Sequence, residues 1–287
     1  MDNDGRRAYE TLMTGLFPHS NYGMQTTIGT VEHLKNPSLK EIRKFYQTWY
    51  VPNNMAIILA GDFDPDEAIS KIDKAFGYMA EKPIKEYRAP AEPELVKPVI
   101  REVKGPDAEN ITIAFRLPGV DDYRSLVRTY VVAALLSNGS AGLFDLNLNK
   151  QQKVLGAAAY VHSMKDYTML ILSGQAKNGQ QLDAVKDLLI NELKRIGEGN
   201  FDEQMLSSIV NNARLNEMRG LEMNENRASA LMNAFIKHKG ERWQYDVGFL
   251  DEMGRTSKKD LMEFAQRSHK NNYIVVYKRN GKEEEIA

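Results

Sequence analysis

SLKEIRKFYQTWYVPNNMAIILAGD, residues 38–62, reads as a capped amphipathic helix, a turn and an apolar run of strand length. Ser38 and Glu41 stand at capping-box spacing, where the hydroxyl accepts from the N3 amide and the carboxylate reaches back to the Ser amide. Leu39, Ile42, Phe45 and Trp49 then fall on one helical stripe. Pro52 cannot continue the helix, Asn53-Asn54 makes the turn, and residues 55–60 predict a buried strand that ends at Gly61-Asp62. A second box follows at Asp64-Pro65-Asp66-Glu67, with Pro at the first helical position, and Ala68, Ile69, Ile72 and Phe76 give the next stripe.

The pattern returns near the other end of the chain as SKKDLMEFAQRSHKNNYIVVYKRNG, residues 257–281. Ser257 answers Ser38, Asp260 answers Glu41, Leu261 answers Ile42, Phe264 answers Phe45, and Asn271-Asn272 answers Asn53-Asn54. Any capped helix running into a strand shares some of this, but the co-linear match favours duplication, and the fold expected is α+β: tandem copies of one domain in which helices pack on a sheet. Between the copies, residues 81–98 hold Pro83, Pro90, Pro93 and Pro98 and no sustained apolar period, which predicts an extended linker. The division expected is 1–80 for the first domain, 81–98 for the linker, 99–280 for the second domain and 281–287 for a tail. Within 99–280 the periodicity predicts strands at 99–103, 111–117, 155–162, 168–175 and 273–278. It predicts helices at 121–136, 143–151, 182–196, 201–219, 226–238 and 257–267. Residues 1–16 place Ala8, Leu12, Met13 and Leu16 at helical spacing with no entry signal before them, as if the first domain were truncated at its start. Its stripes are then expected to lie uncovered, or to be buried by self-association or by the second domain.

Composition narrows the function classes. With 287 residues there is room for two cores, and 38 basic against 39 acidic side chains give no charge signature for nucleic acid. The chain has no Cys, hence no disulfide framework, thiol nucleophile or Cys-type zinc site, and the redox compartment stays open. Residues 131–136, VVAALL, form the longest strongly apolar run and are far shorter than the roughly 18 residues of a membrane span. The first residues have neither the basic nor the apolar segment of a signal peptide.

Reactive constellations are absent from the text. His19, His33, His162, His238 and His269 sit in different elements, and no two share a helix face at i,i+4 as a catalytic zinc site commonly requires. Glu32-His33 imitates the end of a His-x-x-Glu-His motif, but Gly29 stands where the first ligand belongs. Asn138-Gly139-Ser140-Ala141-Gly142 reads as a turn between helices rather than a nucleophile elbow, and neither a phosphate loop nor a dinucleotide fingerprint occurs. Asp121-Asp122 and Asp202-Glu203 read as helix openers, and the thirteen methionines as core filling. No catalytic, cofactor-binding or metal-binding residue is assigned, and the chain alone is expected to hold no stoichiometric zinc and to cleave no peptide.

The run from Asn21-Tyr22-Gly23 through Ile28-Gly29-Thr30 into residues 34–68, with its Tyr50-Val51-Pro52-Asn53-Asn54 turn and Gly61-Asp62-Phe63-Asp64 exit, resembles the pitrilysin or insulinase-type zinc peptidases, the inverzincins. The likeness is specific over about residues 15–78 and co-linear beyond. It implies tandem α+β domains, a first domain whose metal-bearing helices would precede Met1, and a companion domain at 99–280 without metal. A companion helix often written Ser-x-Leu-Phe-x-x-Leu-Arg-Glu is here Ser140-Ala141-Gly142-Leu143-Phe144-Asp145-Leu146-Asn147-Leu148-Asn149, so the polar end of that helix has changed. By resemblance the parent is a zinc-dependent endopeptidase acting on peptides or unfolded chains, with this portion as chamber wall and substrate-binding sheet. The alternative is a non-catalytic structural or partner subunit of the same fold. Zinc would belong to the parent and not to this chain. The partners implied are peptide substrate and the remaining domains of the parent or a homologous subunit, without nucleic acid or a membrane span. Resemblance is compatible with the bacterial envelope or the cytoplasm and leaves the compartment open.

Overall fold

The computed structural model describes residues 3–85, 87–239 and 241–281. Residues 282–287 of the expected tail lie outside the described residues. In chain order the elements are α1 (Asp4–Leu16), α2 (Asn21–Met24), α3 (Val31–Lys35), α4 (Leu39–Trp49), α5 (Pro65–Phe76), β1 (Val99–Gly105), β2 (Asn110–Pro118), α6 (Tyr123–Leu136), β3 (Gly156–Ser163), β4 (Tyr167–Gln175), α7 (Leu182–Gly197), α8 (Gln204–Gly220), α9 (Asn224–His238), α10 (Trp243–Val247), α11 (Phe249–Arg255), α12 (Lys258–Ser268) and β5 (Tyr273–Asn280). The architecture is α+β, one five-stranded sheet packed by helices.

The strand order is β1-β5-β2-β4-β3, with β1 parallel to β5 and the other neighbours antiparallel. Ile111, Ile113 and Phe115 of β2, Leu170 and Leu172 of β4, and Val275 and Tyr277 of β5 face one side, against α6, α7 and α12. The intervening residues Ala114, Met169, Ile171, Ile274 and Val276 face the other side, where Leu12, Met13, Leu16 and Phe17 cover them. Strands covered on both faces lose the apolar–polar alternation, which is why β4 and β5 read as continuous apolar runs. A Cβ on Gly15 would come within 2.3 Å of Ile274 Cδ1, so a larger residue there would force the Ile274 side chain to shift.

By contact, the chain forms two units. One contains the described parts of Met1–Met24 and Arg242–Ala287 together with Pro90–Asn216, and the other contains Gln25–Ala89 and Glu217–Glu241. The helix that the sequence groups with residues 1–80 thus packs on β1 and β5. Beside it, Glu92 of the proline-rich segment is enclosed: its carboxylate accepts from the His19 and Ser20 amides at 3.0 and 2.8 Å, and its own amide donates to the Tyr167 hydroxyl at 2.9 Å. Pro93 is held by its carbonyl, which accepts from Arg116.

In the second unit α4 and α5 form where the capping residues place them, Ser38 accepting from the Glu41 amide and Asp64 from the Glu67 amide. Residues 55–60 correct the sequence expectation. They pair with no strand among the described residues, and Met55, Ile57 and Leu59 are 43%, 48% and 49% exposed. Leu39, Ile42, Phe45, Ile69 and Phe76 are exposed too, and Val51 and Ala234 are the hydrophobic residues buried in this unit among those described. A strand needs a neighbour to satisfy its backbone, and no strand among the described residues meets this run. Two further differences concern the sheet unit. The helix expected at 143–151 contains a π-helical turn, Asp145–Asn149, and α10 and α11 were not foreseen because Gly248 cuts that stretch into pieces too short to show a period.

Candidate functional site

The five histidines do not assemble. His33 is part of a helix cap: its amide donates to Thr30 Oγ1 and its ring accepts from the Thr30 amide. His19 sits beside Glu92, His162 is on β3 near Tyr9, and His269 ends α12 between two phenyl rings. Among the described residues no group of three His, Asp or Glu side chains could hold a metal ion, so the residues present do not fit a zinc site.

What the sheet does offer is two edges of opposite character. At β1 the outward carbonyls of Ile100 and Lys104 accept from the guanidinium groups of Arg101 and Arg7 at 2.9 and 2.5 Å, and Glu102 pairs with Arg279 at 2.8 Å. Charges of this kind discourage another strand from pairing. At β3 residues 154–164, VLGAAAYVHSM, contain no Asp, Glu, Lys or Arg.

The direction of the β3 backbone groups follows from its hairpin. The Met164 amide donates to the Tyr167 carbonyl at 2.8 Å, and the register sets Ser163 opposite Thr168 and Tyr160 opposite Ile171. Hydrogen-bonded pairs alternate along an antiparallel ladder, so Ala158, Tyr160 and His162 bond toward β4 while Ala157, Ala159 and Val161 turn theirs outward. Tyr160 is 49% exposed on the face opposite α6, and burial pushes its hydroxyl pKa up. Burial likewise lowers the His162 pKa, favouring the neutral ring at the edge. At the start of β3 a cavity of about 320 Å³ is lined by Asn110, Gly156, Ala157, Ala158, Ser173, Gly174 and Gln175.

The turn before β3 is built around one carboxylate. Asp145, buried, accepts from the Asn138 and Gly142 amides at 2.9 and 3.1 Å, and Asn138 Oδ1 accepts from the Ser140 and Ala141 amides. Gly139 takes a φ of +83°, a conformation that suits glycine. Sequence reasoning saw in Asp145, Asn147 and Asn149 only a departure from a helix pattern. Their roles needed the fold, which brings the end of the π-helical turn against β3.

Comparison with known proteins agrees with this architecture. Residues 37–213 match the family described as "Peptidase M16 inactive domain". The chain is 27% identical over 214 residues to the probable zinc protease PqqL of Escherichia coli, covering 72% of this chain and 22% of that protein. It is 19% identical over 219 residues to the zinc protease PqqE of Helicobacter pylori, covering 74% of this chain and 49% of that one. Among solved structures, a protease from Helicobacter pylori superimposes with a TM-score of 0.86 at 17% identity, over 95% of this chain and 66% of that chain. The chain therefore spans about a fifth of one curated relative and about half of the other. With more than half of its residues inside the family match and the same α+β architecture, the chain belongs to the M16 peptidases and carries their inactive domain.

Proposed function

We propose that this chain is the non-metal portion of a zinc-dependent endopeptidase acting on peptides or unfolded chains, and that it supplies chamber wall and a peptide-binding sheet. The β3 edge is the observation that carries this reading: an uncharged edge whose outward main-chain groups at Ala159 and Val161 can pair with an extended peptide, at the opposite side of the sheet from a β1 edge guarded by charge. Main-chain pairing gives affinity with little sequence selectivity, as a peptidase of unfolded chains needs. The zinc-protease relatives supply the reaction class, and zinc would be held by residues outside this chain. The second reading, a non-catalytic partner subunit of the same fold, differs in expecting that no zinc is held outside this chain either.

The test is a proline at the outward position Val161, which removes one amide donor without taking a bond from the β3–β4 ladder. With acetyl-KVAVAVK-amide as probe, V161P is expected to weaken binding about tenfold, whereas E102P on β1 leaves it unchanged. Equal binding by the wild type and V161P would remove the support for a peptide-binding edge.

A further inference from the structure

The β3 edge is not open along its whole length. At Ala157 both outward main-chain groups are already taken by one side chain: Asn149 Nδ2 donates to the Ala157 carbonyl at 2.9 Å, and Asn149 Oδ1 accepts from the Ala157 amide at 2.8 Å. A primary amide presents a donor and an acceptor much as a peptide group does, so Asn149 makes the two bonds that a residue of an added strand would make.

The surrounding structure holds it there. Asn149 ends the π-helical turn, in which the Lys150 amide donates to the Asp145 carbonyl and the Lys153 amide to the Leu148 carbonyl, both at 2.9 Å and both spanning five residues. An extra residue in a helical turn re-aims the side chains after it, and such turns are rare and frequently lie at functional sites. Asp145 Oδ1 lies 3.5 Å from Asn149 Nδ2, while its other oxygen anchors the Asn138–Gly142 turn. Lys150 Nζ donates to the Ser140 carbonyl at 2.8 Å and fastens the same turn from the other end. Helix, turn and strand are thus tied together at the residue that fills the edge.

The geometry points to Asn149 as the residue that sets where an added peptide strand begins: it fills the Ala157 position, so a peptide pairs with Ala159 and Val161 and does not run on toward Gly156. Asn149 is a positioning residue on this view, and the inference rests on the edge reading given above. The ligand class is an extended, unstructured peptide held by its main chain, with one end stopped at the Asn149 amide.

Residue-resolved amide exchange of the full chain, with and without acetyl-KVAVAVK-amide, tests it. In the wild type the peptide is expected to slow Ala159 and Val161 at least tenfold and to leave Ala157, already bonded, unchanged. In Asn149→Ala the Ala157 amide should exchange fast without peptide and slow at least tenfold with it, extending the footprint by one pair. If N149A does not fold, Asn149→Ser, whose hydroxyl is too short to bridge both groups, takes its place in the same measurement. A footprint that stops at Ala159 in the alanine or serine variant overturns the role of Asn149 and leaves the edge reading standing. No protection of Ala159 and Val161 in the wild type overturns both.

Discussion

The imidazole of His269 lies edge-on to Phe115 and Phe264, with ring centroids 5.1 and 5.4 Å away, and neither ring nitrogen has a hydrogen-bond partner. Burial pushes its pKa down from 6.5 to about 4, because a charged ring between two phenyl groups would lose its hydration. The unfolded chain takes up this proton first, so the stability linked to His269 is intact above pH 6.5 and is lost as pH falls from there toward 4. One group shifted by this amount contributes up to about 3 kcal/mol. The urea midpoint of the wild type should therefore fall across that window, and His269→Leu should flatten that part of the profile while leaving the unfolding free energy at pH 8 within about 1 kcal/mol of wild type. An unchanged acid slope in H269L would place the proton uptake elsewhere. Sequence reading could weigh His269 only as a metal-ligand candidate. Its phenyl neighbours come from β2 and α12, one of them 154 positions away, and only the fold brings them together.

At the scale of elements, α1 shows how a helix legible in sequence can find an illegible destination. Its stripe was readable from Leu12, Met13 and Leu16, but the surface those residues cover belongs to β1 and β5. The start of the helix is fastened by Asp4, whose carboxylate accepts from the Asp107 amide at 3.0 Å and faces Lys278 Nζ at 3.0 Å and Arg7 at 3.0 Å. Lys278 is itself 1% exposed and also donates to the carbonyls of Gly105 and Asp107. The Asp107 amide first, then Lys278 and Arg7, outweigh burial and hold the Asp4 pKa at about 2, below its ordinary 3.8. The folded state thus binds this proton later than the unfolded chain, and the stabilisation is present above pH 3.8 and lost as pH falls through about 2. Asp4→Asn at neutral pH should speed amide exchange across α1 at least tenfold without disturbing α6 or α7; equal protection would mean that the apolar stripe alone holds the helix.

The two helix–turn segments that the sequence sets side by side share a physical basis at this same scale. Asn54 Nδ2 donates to the Trp49 carbonyl and Asn272 Nδ2 to the Ser268 carbonyl, each closing its helix. Asn53 Nδ2 reaches the Lys82 carbonyl and Asn271 Nδ2 the Val96 carbonyl, each fastening a passing extended segment. The two Asn-Asn turns do the same work, yet only the second leads into a paired strand, because β1 and β2 flank β5.

Across the whole molecule, we propose that residues 81–98 join the parts of the chain that the duplication separates, with most of their freedom before Pro90. Glu92 and Pro93 are bound into the sheet unit, so brief trypsin treatment should cut at Lys85 before Lys97 or Arg101, and before any site in α6. First cleavage within α6 would contradict this arrangement. The sequence by itself determined the α+β class and the caps and stripes of α4, α5 and α12, because these depend on residues three or four positions apart. Tertiary structure alone decided that α1 covers β5, that residues 55–60 stay unpaired, that His269 is shut between two phenyl rings, and that Asn149 occupies the β3 edge. Each of those outcomes is a contact, or a missing contact, between segments distant in the chain, and local periodicity carries no record of which distant surface a residue meets.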